Sequence, residues 1–157
     1  MAEYVGARFE ATGRDAGEAL GPLLDLAGGH PQRTMLLAHH LWRHTPAGAA
    51  ADSDTWRDTL AGVGHDVAGE LTAVWSGVSN TQRRILTAVA ENAAPLYGRE
   101  VRARQNLPRT GANRKSLEAL EAAGEIAAAS GTATGYRVID PLLEAWLRGG
   151  RAWPYGD

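Results

Sequence analysis

The sequence predicts a mostly α protein with one small β-hairpin. Apolar residues recur at helical spacing through most of the chain. The longest such stripe is Trp56, Leu60, Val63, Val67, Leu71, Val74 and Val78, in steps of 4, 3, 4, 4, 3 and 4. One place only, "EIAAASGTATGYRVID", sets two short β-prone runs on either side of a glycine-bounded turn.

Taken in order, "DAGEALGPLLDLAGG" carries Ala19, Leu20, Leu23, Leu24 and Ala27 on one helical face, and Gly28 and Gly29 supply a stop. Pro22 limits the regularity of that helix. The next helix starts at "HPQR", with Pro31 in the first turn where its missing N–H costs nothing, and runs to about His44. "TPAGAAADSD" is a loop, and Ser53 or Asp54 caps the long helix of about 53–78. Gly62, Gly64 and Gly69 each weaken that helix by up to about 1 kcal/mol relative to alanine, so packing must hold it.

The second half has a different rhythm. "SNTQRRILTAVAEN" is a capped helix with Ile85, Leu86 and Val89 facing inward. "YGREVRARQNL" is a short helix closed by Pro108, and "TGANRKSLEALEAAGE" is a third, capped by Thr110, with Leu117 and Leu120 inward and Gly124 at its end. The hairpin follows. "DPLLEAWLRGG" is a last helix with Asp140 as cap and Pro141 at its first position. Three short helices, a hairpin and a closing helix make a winged helix-turn-helix. The expected organisation is a helical bundle over 1–78, a winged helix over 79–150 and a tail over 151–157.

A chain of 157 residues is long enough to bury a core without staples. It has no cysteine, which excludes disulfides, thiolate zinc sites and a cysteine nucleophile and fits a reducing cytoplasm. No apolar run approaches the roughly 18 residues of a membrane span, and the acidic N-terminal stretch is unlike a signal peptide, so a cytoplasmic protein with no membrane partner is expected. The net charge of −2 hides an asymmetry. Residues 1–78 hold five Arg/Lys and ten Asp/Glu, giving −5, and residues 79–157 hold eleven and eight, giving +3. Only the second half has the charge to face a polyanion.

"SLEALEAAGEIAAASGTATGYRVIDPLLEAWLR" resembles the third helix, wing and final helix of many prokaryotic winged-helix domains. "LAGGHPQRTMLLAHHLW" resembles the helical lid of AAA-plus and STAND-type P-loop ATPases, where a glycine-proline motif starts a lid helix. In this order, joined by a long helix, the two are similar to the C-terminal part of such ATPases. The resemblance implies a regulatory fragment whose lid closes over nucleotide held by a preceding ATPase core. It places Gly29 and Pro31 at the glycine-proline positions with His30 between them, and Arg33, or Gln32 in a register shifted by one, as a sensor of the phosphates. ATP or ADP with magnesium would be the cofactor of the full-length parent. The chain itself has neither GxxxxGK[ST] nor an acidic magnesium-binding strand, so tight nucleotide binding and catalysis by this chain alone are not expected.

Arg99, Arg102, Arg104, Arg109, Arg114 and Lys115 gather around the second and third helices of the winged helix, the edge that a helix-turn-helix directs to a major groove, and Arg137 lies on the wing. Glu118, Glu121 and Glu125 oppose that reading from the same helix. Double-stranded DNA and a protein partner are therefore both expected as candidates for the winged helix. A free-standing DNA-binding regulator, with the first half for dimerisation or sensing, is the competing function. His39, His40 and His44 lack the third ligand and the glutamate of a helical zinc motif, and read as a surface or partner-facing histidine cluster rather than a metal site. Trp42, Trp56, Trp75 and Trp146 read as core. Trp153 and Tyr155 form an aromatic tail that docks on its own domain or on a partner.

Overall fold

The computed structural model describes residues 1–107 and 111–155. It is mostly helical, with one two-stranded antiparallel sheet. The chain forms two compact units: Met1–Ala68 with Trp153–Asp157, and Gly69–Ala152.

The first unit opens with α1 (Ala2–Glu10), which the sequence reading does not anticipate. Its signal is short: Val5 and Phe9, one turn apart, are its two buried residues. A 3-10 turn at Gly17–Ala19 leads into α2 (Leu20–Ala27). Pro22 thus falls in the first turn of α2, where no intrahelical bond is lost. Ala19, Leu23 and Ala27 are buried on one face, and Leu20 and Leu24 are half-buried. Gly28 ends α2 at φ 55° and Gly29 follows at φ 77°, left-handed conformations that cost a β-carbon-bearing residue strain.

Helix α3 (Pro31–His44) matches its expected limits. The loop after it is tied to the α1–α2 connection by Asp15 N–H to the Ala49 carbonyl, Ala51 N–H to the Asp15 carbonyl and Glu18 N–H to the Ala51 carbonyl. Helix α4 (Ser53–Gly77) is 25 residues long. Its cap is neither Ser53 nor Asp54. Asp52 accepts from Thr55 N–H at 2.8 Å and from the Thr55 hydroxyl at 2.7 Å. Those bonds favour the carboxylate and lower the Asp52 pKa. Along the stripe Leu60, Val63, Val67 and Leu71 are buried, while Trp56, Val74 and Val78 are half-buried. Ser53–Ala68 belongs to the first unit and Gly69–Gly77 to the second.

The second unit continues with α5 (Asn80–Glu91), α6 (Arg99–Arg104), α7 (Gly111–Ala122), β1 (Ile126–Ala128), β2 (Tyr136–Val138) and α8 (Pro141–Arg148). This is the element order expected of a winged helix-turn-helix. Helix α5 lies at the centre, packed on α7, α8 and β2. Its face of Ile85, Leu86 and Val89 meets a core that includes Leu117, Leu120, Ile126, Val138, Leu142 and Leu143, all buried. The expected cap at Thr110 and the closing Pro108 lie outside the described residues.

Candidate nucleic-acid interface

Local capping fixes the scaffold of the second unit. Ser79 and Gln82 form a reciprocal capping box at the start of α5: the Ser79 hydroxyl accepts from Gln82 N–H, and the Gln82 side chain accepts from Ser79 N–H at 2.7 Å. Asn92 closes α5 in the left-handed region, and its side-chain oxygen accepts from Thr134 N–H at 3.1 Å, holding the hairpin loop. The hairpin pairs Ile126 with Val138, Ala127 with Arg137 and Ala128 with Tyr136. Ile139 N–H to the Glu125 carbonyl prolongs the pairing by one bond. Asp140 caps α8 by accepting from Leu142 N–H, with Pro141 in the first turn.

On this scaffold the predicted cations fall into three groups. Arg99, Lys115 and Arg137 are exposed and have no carboxylate partner among the described residues. Arg104 is held by Glu100 at 3.1 Å and Glu91 at 3.7 Å, and Arg114 by Glu118 at 2.8 Å. The Glu118 carboxylate raises the Arg114 pKa, so Arg114 stays cationic while part of its charge is compensated. Arg102 is half-buried, and its Nε is buried without a hydrogen-bond partner. Arg109 lies outside the described residues. Glu118 and Glu121 are exposed on α7, so the first two turns of that helix carry its positive charge and the later turns its negative charge.

The glycine-proline stretch of the first unit is a helix junction in which most groups have structural partners. His30 is the N-cap of α3, and its Nδ1 accepts from Arg33 N–H at 3.3 Å. Arg33 is buried, 5% exposed, whereas Gln32 and Pro31 are exposed. The sensor arginine of the resemblance is thus not offered to solvent.

Of the three histidines only His40 departs from the expected surface cluster. His39 and His44 are exposed, but His40 is 3% exposed and places Nε2 3.0 Å from Asp66 Oδ2 on α4. The helical period puts His40 on the face with Leu37 and Leu41, toward the core, which one-turn spacing to His44 does not reveal. His44 Nδ1–H donates to the His40 carbonyl at 2.8 Å. Among the described residues no group of three or more His, Asp or Glu is placed to hold a metal ion.

Burial lowers the His40 pKa, aided by His39 and Arg43, while the Asp66 carboxylate pulls it up without cancelling the shift. The geometry agrees with a neutral ring. Nε2–H faces Asp66, and Nδ1 has no hydrogen-bond partner and faces Gly62, where an added Cβ would stand 3.1 Å away. A histidine whose folded pKa is depressed favours folding above its unfolded pKa, and that contribution is lost as pH falls through the unfolded and then the folded value. Urea unfolding measured from about pH 8 to about pH 5 is expected to show a loss of stability on acidification that is smaller in His40→Gln. Equal pH dependence in parent and variant would show that His40 does not titrate with folding.

The tryptophans are only partly core. Trp146 is buried, while Trp42 and Trp75 are half-buried. Trp42 donates Nε1–H to the Thr12 hydroxyl at 2.8 Å under the Arg14 guanidinium, 4.3 Å from the ring centroid. Trp153 docks on α4 within the first unit. Its Nε1–H donates to the Leu60 carbonyl at 2.8 Å, and its ring lies where a Cβ on residue 64 would be, so Gly64 makes the seat. Tyr155 packs edge-on against it at 5.4 Å.

The sequence reading does not single out Arg83, Arg84 and Arg151. The available signal is an Arg-Arg pair near the start of α5 and an arginine just after the Gly149–Gly150 stop, both of which read locally as solvated surface. Among the described residues no helix is long and apolar enough to cross a membrane. No protein-family model, curated protein or solved structure matches the chain.

Proposed function

We propose that the second unit contacts double-stranded DNA through α7 and the wing, and that the first unit regulates that contact. One observation carries the reading: Arg99, Lys115 and Arg137 are exposed cations without carboxylate partners, on α6, the start of α7 and β2 of a helix-turn-helix with a hairpin. The first turns of a recognition helix meet base edges while flanking cations meet phosphates. The carboxylates of Glu118 and Glu121 keep the later turns of α7 away from the duplex. Protein contact through the same face is the competing output.

The test is fluorescence anisotropy of a labelled duplex across a range of salt. Each phosphate neutralised contributes about −0.9 to the slope of log K against log salt. Lys115→Ala with Arg137→Ala is expected to weaken binding to all duplex sequences and to reduce the slope by about 2. Absence of binding at low salt overturns the reading.

A second reading keeps the resemblance to the C-terminal part of a P-loop ATPase. It is supported by the proline-initiated α3 after two left-handed glycines, and by α4 running uninterrupted from residues of the first unit into residues of the second. The residues present do not by themselves fit ATP with magnesium: Arg33 is buried, and His30 Nδ1 is occupied by Arg33 N–H. In this reading Gly29, His30, Pro31 and Gln32 form one wall of a site whose phosphate-binding part belongs to a preceding ATPase core, and no catalytic step is assigned to this chain. The in-frame coding sequence upstream of Met1 decides it. A GxxxxGK[ST] segment there supports the reading, and a stop codon removes it.

A further inference from the structure

We propose that a groove between α5 and α8 in the second unit is a phosphate-binding site, taking a phosphoryl group through Arg83, Arg84 and Arg151. The groove has a volume of about 640 Å³, and its walls include those three arginines and Trp75, together with a fourth arginine, Arg148, and one carboxylate, Glu91. That is room for a nucleotide-sized ligand or a stretch of sugar-phosphate backbone.

The four arginines of the groove outnumber its one carboxylate, Glu91, which is paired with none of Arg83, Arg84 and Arg151. Arg83 donates Nε–H to the Trp75 carbonyl at 2.8 Å and Nη2–H to the Ser76 carbonyl at 3.3 Å, and a longer bond from Nη1 reaches the Asn80 side-chain oxygen at 3.4 Å. Arg84 donates Nη1–H to the Asn106 carbonyl at 2.8 Å. All of these acceptors are neutral, so they orient the guanidinium groups without cancelling their charge. Arg151, held at φ 70°, sets its guanidinium 5.2 Å from the Trp75 ring centroid, and Arg83 lies 5.4 Å from the same ring. Trp75 is itself braced edge-on by Trp146 at 6.1 Å.

Glu91 in the wall and Glu144 beside it have other partners. Glu144 pairs with Arg148 at 2.7 Å, and Glu91 is shared by Arg104 at 3.7 Å and the Gln105 amide at 3.2 Å. Of the four guanidinium groups that line the groove, three have no carboxylate partner among the described residues, and two of those share one indole. Gathering like charges is unfavourable until an anion joins them. Forked, pre-oriented guanidinium N–H donors match phosphate oxygens better than a flexible ammonium would. The site does not depend on α7 facing DNA. Its phosphate comes from either of two sources, a free phosphorylated small molecule or the backbone of a nucleic acid.

The experiment uses the full chain and two probes, inorganic pyrophosphate by calorimetry and a labelled duplex of about 20 base pairs by anisotropy, both at low salt. Arg151→Gln breaks no side-chain hydrogen bond among the described residues and is the first variant. Arg84→Gln with Arg151→Gln is the second, with circular dichroism as a check on folding. Loss of about tenfold or more in affinity for at least one probe in the second variant, with a smaller loss in the first, is expected. Arg57→Gln, which removes a cation of the first unit paired with Asp54, is expected to stay within about twofold. Pyrophosphate binding that is lost in these variants identifies a free phosphorylated ligand. Duplex binding that is lost without pyrophosphate binding identifies the backbone, and comparison with Lys115→Ala plus Arg137→Ala separates this site from the α7 face. The proposal is overturned if neither probe binds, if Arg57→Gln weakens binding as much as Arg151→Gln, or if both groove variants bind as the parent does.

Discussion

Leu86→Ala is expected to lower the stability of the second unit by about 2–5 kcal/mol. Leu86 is 0% exposed at the centre of α5, the helix packed on α7, α8 and β2. Truncation removes most of a fully buried side chain and leaves a cavity between α5 and the elements packed on it. Urea unfolding followed by circular dichroism should show a lower midpoint with little change in slope. The same variant is expected to lose DNA and pyrophosphate affinity only to the extent that it unfolds. A shift of less than about 1 kcal/mol would mean that Leu86 is not at the centre of the core.

Val67→Pro is expected to cost about 3 kcal/mol or more, because proline removes an intrahelical N–H and its ring meets the carbonyl one turn earlier. Val67 is 3% exposed, well inside the 25-residue α4, so the loss of a buried side chain adds to the backbone effect. Circular dichroism should record lost helix together with a lower urea midpoint. The variant also tests regulation. In the reading that joins this chain to a preceding ATPase core, α4 carries the state of the first unit to the second, and partner binding by such a parent protein should lose its dependence on ATP in Val67→Pro. Equal ATP dependence in parent and variant would remove α4 from that role.

Much of the fold is legible in the sequence because its signals are local. The Ser79–Gln82 box, Pro31 and Pro141 at first-turn positions, and Gly28 as a left-handed stop each act within a few residues: α3, α5 and α8 begin and α2 ends at them. Where two local signals compete, the sequence is less decisive. Asp52, Ser53 and Asp54 are all good caps, and only the placement of the Thr55 N–H against Asp52 selects among them. Helix α1 is not legible in the sequence because its apolar face is two residues, Val5 and Phe9, and those count for little until a neighbouring surface covers them. The exposed cations of α6, α7 and β2 were legible, but their carboxylate partners were only partly so. Arg114 and Glu118 are one turn apart, whereas Arg104 and Glu91 are paired across separate helices.

The sequence by itself determined the mostly α class, the limits of α3, the length of α4, the hairpin and the caps of α5 and α8, because each depends on the conformational preferences of neighbouring residues. Only the tertiary structure decided that His40 is buried against Asp66, that Trp153 sits on Gly64 and bonds to Leu60, and that Arg83 and Arg151 flank Trp75. The last two join residues far apart in the chain, and all three are selected by which surfaces pack together. Backbone propensity along the chain carries no record of that choice.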